Sequence, residues 1–202
     1  MESNQARGGS GRRSLILLIF LFSAPLVAAY FANRYLHDEG EFRTRNYGEL
    51  IAPARPLTDV TLQTYPAGPF RFSDLRGKWV LIYIGTADCD PACEAALYKM
   101  RQGRLAQGEE RDRVQRLYVS RTGKPGASLE RVLAAHRGMI VAWGSDDAVR
   151  DLLRQFRVDG EQGAELYLVD PLGNLMMSYP PEFEAKGLVK DLTLLLKASQ
   201  IG

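Results

Sequence analysis

The chain has 202 residues, 46% of them hydrophobic and 25% charged, a composition typical of one globular domain and unlike that of a disordered or multi-span membrane protein. The formal net charge of +2 arises within residues 1–32, where three arginines accompany one glutamate. Because the rest of the chain is electrically balanced and has no basic blocks, binding to nucleic acid is not predicted.

An uncharged apolar run occupies residues 15–32, which is near the lower limit for a helix that crosses a membrane. The pair Arg12-Arg13 precedes this run and acidic residues follow it. The positive-inside rule therefore predicts a single-pass anchor in the inner or plasma membrane, with residues 1–14 cytoplasmic and the domain on the periplasmic side. A cleaved signal peptide is the alternative, since residues 27–29 are small, and it also exports the domain.

Residues 33–58 are polar and contain Pro53 and Pro56, which indicates a linker between the anchor and the domain. The globular domain is then predicted over residues 59–202.

Strand and helix patterns alternate along this domain. The continuously apolar segment 79–84 is typical of a strand buried on both faces, and Asp90-Pro91 is a strong helix start. Further strands are predicted over 116–120, 139–142, 165–169 and 174–179, and further helices over 128–136, 146–156 and 185–199. This order predicts an α/β thioredoxin-like sandwich, in which helices flank a mixed central sheet.

The two cysteines of the chain, Cys89 and Cys93, lie where this buried strand passes into the helix. A thiol at a helix N-terminus faces unpaired backbone N–H groups, which favour the thiolate. The spacing brings both sulfurs to one side of the first turn, where they can form a disulfide or hold one soft ion such as Cu(I). The neighbouring acids Asp88, Asp90 and Glu94 are expected to raise the thiol pKa and to attract a cation. Two inert core cysteines are the structural alternative.

These residues resemble the Sco proteins, which are thioredoxin-like assembly factors for the copper site of cytochrome c oxidase. The resemblance covers roughly residues 57–200 and includes three segments: the approach to the apolar strand over 75–85, the C-x-x-x-C pair, and Tyr-Leu-Val-Asp-Pro-Leu-Gly over 167–173. A fourth, shorter match is Ala135-His136 followed by Ile140 and Gly144. The resemblance implies that Cys89 and Cys93 are copper ligands or redox thiols. It also implies that the partners are the membrane and the oxidase subunit that carries the dinuclear copper site.

The resemblance fails at the third copper ligand, a histidine that should fall near Gln162. The amide of Gln162 is a poor substitute for imidazole as a copper ligand. His136 is predicted to lie at a helix end rather than at the metal, and Met176 and Met177 are predicted to be core residues. A cis-proline before the strand at residue 165, as found in disulfide oxidoreductases of this fold, is also absent.

Three functional hypotheses follow from these observations. The first is a Sco-like assembly factor in which Cys89, exposed at the helix start, attacks a partner disulfide and Cys93 resolves the mixed species. The second is a non-catalytic binding module with an inert disulfide. The third is a general periplasmic dithiol oxidoreductase.

Overall fold

The computed structural model describes residues 10–38, 46–64, 68–156 and 166–199. The chain divides into two compact units, residues 1–45 and 46–202. In the first unit, helix α1 (Ser10–Asp38) includes the segment Arg12–Phe31, which is long and apolar enough to cross a membrane. Residues 1–9 of the predicted cytoplasmic segment lie outside the described residues.

The second unit contains one mixed sheet of eight strands in the order β1-β8-β7-β4-β5-β6-β2-β3. The strands are β1 (Glu49–Pro56), β2 (Leu62–Thr64), β3 (Pro69–Phe70), β4 (Trp79–Gly85), β5 (Val114–Ser120), β6 (Met139–Trp143), β7 (Leu166–Val169) and β8 (Asn174–Tyr179). Strands β4, β5 and β6 are parallel, and the remaining neighbours pair antiparallel. The helices are α2 (Pro91–Leu105), α3 (Ala127–Leu133), α4 (Asp146–Phe156) and α5 (Ala185–Ala198).

The sheet has a hydrophobic core on each face, because successive side chains of a strand point to opposite sides. On one face, Leu81 and Tyr118 join a core with α2, α3 and α5. On the other face, Ile82 and Leu117 join a second core with α4. Both faces of β4 are therefore covered, which accounts for its continuous apolar sequence. The predicted thioredoxin-like sandwich with a mixed sheet is confirmed.

The prediction of a linker over residues 33–58 is wrong for much of its length. Residues 33–38 continue α1, and residues 49–56 form the edge strand β1, which pairs with β8. Ile51 of this strand is buried in the core beside α4, and this burial together with the backbone pairing fixes the segment in the sheet. The domain accordingly begins near Asn46 rather than at residue 59. Residues 39–45 of the predicted linker lie outside the described residues.

Candidate functional site

The cysteine pair lies where β4 passes into α2. The loop 86–90 connects the two elements, and Asp90 caps the helix as predicted, with its Oδ1 accepting a hydrogen bond from the backbone N–H of Cys93 at 2.8 Å. Pro91 occupies the first helical position, where its missing N–H costs no hydrogen bond. The cap therefore places Cys93 in the first turn of α2.

A disulfide joins Cys89 and Cys93 in this structure. Their Cα atoms are 5.3 Å apart, within the range that disulfide geometry requires. The C-x-x-x-C spacing thus brings both sulfurs together across one helical turn, and the pair can exist as a bridge or, after reduction, as two neighbouring thiols.

The expectation that Cys89 is exposed is wrong. Cys89 is 6% exposed and Cys93 is 4% exposed, and both belong to the core that α2, α3 and α5 share. The start of α3 lies against the loop, and the Ser128 hydroxyl donates a hydrogen bond to the Cys89 carbonyl at 3.1 Å. This contact between distant parts of the sequence buries a residue that the local pattern places at an exposed helix end.

Backbone hydrogen bonds fix the loop that carries Cys89. The Ala87 N–H donates to Thr122 Oγ1 at 2.7 Å, and the Gly126 N–H donates to the Ala87 carbonyl at 2.8 Å. The Thr86 hydroxyl donates to the Asp88 carbonyl. A Cβ at Gly126 would lie 2.7 Å from Asp88 Oδ1 and 3.3 Å from the Ala87 carbonyl oxygen, so any side chain there would force the Asp88 carboxylate to move. The loop is therefore held on both sides before the helix begins.

Tyr118 is a site residue that sequence analysis missed. Its hydroxyl lies 3.9 Å from Cys93 Sγ and donates to the Thr86 carbonyl at 2.7 Å, while the side chain is fully buried. Tyr118 pairs in register with Tyr83 of the neighbouring parallel strand β4, and their rings lie 5.6 Å apart. A tyrosine two residues before the carboxyl end of β5 is the signal that could have identified it.

The described residues do not supply a third copper ligand beside the cysteines. In the described ranges, no group of three or more His, Cys, Asp or Glu side chains is arranged to hold a metal ion. Gln162, the position where the resemblance places the missing histidine, lies outside the described residues. Among the described residues, the soft donors at the site are the two cysteine sulfurs, which suit an ion such as Cu(I).

His136 lies at the opposite end of the sheet from the cysteines. It precedes β6, whose first residue Met139 pairs with Arg116 near the start of β5. Cys89 instead follows the carboxyl end of β4. His136 lies just beyond the last turn of α3, where its N–H donates to the Leu133 carbonyl, which agrees with the prediction that it lies at a helix end.

Met177 is a core residue, as predicted, and Met176 packs against the edge of that core. Met177 is 2% exposed, and Met176 is half-buried against the same core. Their packing accounts for both methionines without a role as metal ligands.

Comparison with known proteins identifies the family. The family model described as transmembrane-like, thioredoxin-like, C-terminal domain matches residues 79–199, which include the cysteine pair. The chain is 25% identical to the mitochondrial protein SCO2 homolog of Mus musculus over 205 residues, covering 92% of this chain and 80% of the relative.

Solved structures with the same fold include Sco proteins. Copper-bound yeast Sco1 superposes with a TM-score of 0.61 at 19% identity, covering 72% of this chain and 90% of that one. Apo Sco1 from Thermus thermophilus superposes with a TM-score of 0.62 at 24% identity, covering 77% and 99%. The chain therefore belongs to the transmembrane-like, thioredoxin-like, C-terminal domain family, and the resemblance to Sco proteins seen in its sequence is confirmed.

Proposed function

We propose that this chain is a membrane-anchored, Sco-like assembly factor for cytochrome c oxidase that acts through Cys89 and Cys93. The pair serves as a thiol–disulfide reductant, as a Cu(I) carrier, or as both, for the oxidase subunit that holds the dinuclear copper site. The observation that carries the proposal is the position of the bridged pair at the junction of β4 and the capped start of α2.

The reductant mechanism needs both cysteines. Because Cys89 is buried, the reaction requires a local opening of the loop that carries it. In the reduced chain the Cys89 thiolate then attacks one sulfur of a partner disulfide, forms a mixed disulfide and releases one partner thiolate. The Cys93 thiolate then attacks Cys89 Sγ and releases the second partner thiolate. Two electrons pass to the partner, and the chain is left with the Cys89–Cys93 bridge seen here. A separate reductant must restore the dithiol for another cycle.

Copper transfer would use the same two sulfurs, with copper as cargo. Two thiolates are soft ligands that favour Cu(I), and the exposed carboxylates of Asp88, Asp90 and Glu94 surround them with negative charge that attracts a cation. The missing histidine reduces the ligand set that the family resemblance implies. We therefore place thiol reduction ahead of tight copper storage.

The burial of both cysteines favours a second candidate, a docking module with an inert bridge. The two candidates differ in the reduction potential of the pair. Catalytic pairs have potentials of about −270 to −120 mV, whereas structural bridges typically lie below about −300 mV. Equilibration of the full-length protein in nonionic micelles with defined redox buffers measures this potential. A value in the catalytic range supports the reductant, and a value below it supports the inert bridge.

Copper binding is tested by titrating the reduced full-length chain with Cu(I) against a competing chelator. The double variant Cys89→Ser/Cys93→Ser is the control. Stoichiometric binding that the control loses supports the carrier role, and binding that the control retains excludes it.

In cells, the same double variant should impair assembly of the oxidase copper site. Normal assembly would contradict the proposed function, and broad reduction of unrelated disulfides would favour a general oxidoreductase.

We also propose that the N-terminus is cytoplasmic and the domain periplasmic, with α1 as an uncleaved anchor. The apolar segment of α1 and the arginine pair at its start support this orientation. Protease added to intact spheroplasts should digest the domain, and protease added to inverted vesicles should not. Recovery of a mature protein that begins near residue 30 would instead identify a signal peptide.

A further inference from the structure

A cavity of about 470 Å³ lies at the opposite end of the sheet from the cysteines. It opens between the last turns of α2, the start of β5 and the segment that follows α3. Four of its seven lining residues are arginines, and the other three are apolar. The lining residues are Arg101, Arg104, Leu105, Arg116, Ala134, Ala135 and Arg137. None of these described lining residues carries a carboxylate, so the cavity is strongly positive.

Arg116 is the buried member of this arginine cavity. Its side chain is 3% exposed, on the face of β5 that α2 covers. Its Nη2 donates to the Arg137 carbonyl at 2.7 Å, but its Nε and Nη1 are buried and have no hydrogen-bond partner among the described residues. A guanidinium carries five donors and stays charged, and burial of unpaired donors costs free energy. The Nε and Nη1 donors of Arg116 are therefore available to an acceptor that enters the cavity.

The other three arginines add positive charge to the cavity, and a carboxylate pairs with one of them, Arg104. Arg101 and Arg137 are exposed, and neither forms an ion pair within the described residues. Arg104 is the exception, since it pairs with Asp112 at 2.8 Å and donates to the Val114 carbonyl. Burial, together with the charges of Arg104 and Arg101, lowers the pKa of Arg116 to about 10, so it remains protonated at neutral pH.

His136 lines an adjacent cavity, where it is exposed to the positive charge of the same arginines. Its ring is buried, and its Nδ1 has no hydrogen-bond partner in the part of the chain that the structure describes. Burial, together with the charges of Arg116 and Arg101, lowers the pKa of His136. The adjacent cavity shares Ala134 and Arg137 with the arginine cavity, and Glu130 is the carboxylate on its lining.

The helix dipole does not explain this arrangement. Arginine in the last turn of a helix interacts favourably with the exposed carbonyls, which accounts for Arg104 near the end of α2. It does not account for Arg116, which is a strand residue at a position where alternation calls for an apolar side chain. A buried charge on a core-facing strand position needs a partner.

We propose that the arginine cavity binds the phosphate group of a small anionic molecule. Guanidinium groups match phosphate oxygens in pairs of parallel hydrogen bonds, and a phosphate group offers several oxygens that neighbouring arginines can share. The volume exceeds that of inorganic phosphate, and Leu105, Ala134 and Ala135 offer an apolar wall for an attached organic group. The phosphate can be carried by a soluble phosphate ester or by a lipid headgroup.

The test measures binding of inorganic phosphate and glycerol 3-phosphate to the full-length chain in nonionic micelles by calorimetry, with chloride at equal ionic strength as the blank. Arg101→Gln and Arg137→Gln alter exposed side chains and should leave the fold intact. Each should weaken phosphate binding by about tenfold, the loss expected for one charge-assisted hydrogen bond. Arg116→Met should abolish binding.

Arg150→Gln is the matched control, because Arg150 is an exposed arginine of α4 on the other face of the sheet. It should bind phosphate like the wild type. Binding of phosphatidic acid in mixed micelles, without binding of the soluble phosphates, would identify a lipid headgroup as the ligand. No binding of any phosphate at millimolar concentration, or equal binding by all variants, would overturn the proposal.

Discussion

The carboxylate of Asp191, in α5, accepts a hydrogen bond from the backbone N–H of Tyr47, 144 residues earlier in the chain, at 3.0 Å. It also accepts the Gly48 N–H at 2.9 Å and the Tyr179 hydroxyl at 3.0 Å. Asp191 is 2% exposed, so these three donors replace its water. The contact joins the first described residues of the domain to its last helix.

We predict that Asp191→Ala lowers the free energy of unfolding by about 3 kcal/mol, because it leaves buried donors unpaired. Urea unfolding of the full-length protein in micelles, followed through the fluorescence of buried Trp79, measures the change. Asp147→Ala, which removes an exposed ion pair with Arg150, is the control and should cost no more than about 0.5 kcal/mol. Equal costs for the two variants would contradict the role of Asp191.

Tyr118→Phe should slow the alkylation of the reduced cysteine pair. The phenol lies 3.9 Å from Cys93 Sγ, and after reduction its single O–H can turn from the Thr86 carbonyl, to which it donates in the bridged state, toward the thiolate and stabilise it. Its loss should raise the Cys93 thiol pKa and slow alkylation at neutral pH by about fivefold, the effect of one modest hydrogen bond. The pH dependence of the iodoacetamide reaction checks this. Tyr167→Phe, on the opposite face of the sheet, should leave the rate unchanged.

Reduction of the disulfide should destabilise the domain only moderately. The bridge joins residues 4 apart, and closing so short a loop removes about 2 kcal/mol of chain entropy from the unfolded state. Urea unfolding with and without dithiothreitol measures the difference. The reductant should not change the stability of Cys89→Ser/Cys93→Ser. Complete unfolding of the wild type by dithiothreitol would show that the bridge is essential to the fold.

His136 should make stability fall in mild acid. Burial and the charges of Arg116 and Arg101 lower its pKa below 6.5, the value expected for the unfolded chain. The unfolded state therefore binds the proton more readily, and the stability present above pH 6.5 is lost as the pH falls toward the folded pKa. The free energy of unfolding of His136→Gln should decline less than that of the wild type over this interval. Parallel pH curves for the two proteins would contradict this prediction.

Local signals predicted the centre of the domain. The apolar run of β4 and the Asp90-Pro91 start of α2 depend on neighbouring residues, so the sequence indicates both and places the cysteines between them. The boundaries of α4 and β8 were also correct for the same reason.

Contacts between distant segments were not predictable in this way. The sequence of β1 has the prolines typical of a linker, and the segment forms a strand because it pairs with β8. The burial of Cys89 depends on α3, and the proximity of Tyr118 to Cys93 depends on the register of two parallel strands. Arg116 was predicted to lie within a strand, but its place in a cavity requires the positions of α2 and α3.

Neither end strand of the sheet favours the addition of a further strand. β1 contains Pro53 and Pro56, which have no N–H to donate to a further strand, and β3 at the other end has two residues, one of them proline. A partner polypeptide therefore gains little by extending the sheet with its own backbone. A partner bound at either of these edges would therefore be recognised by side chains and surface shape, and surface substitutions could change its affinity without any change in the sheet.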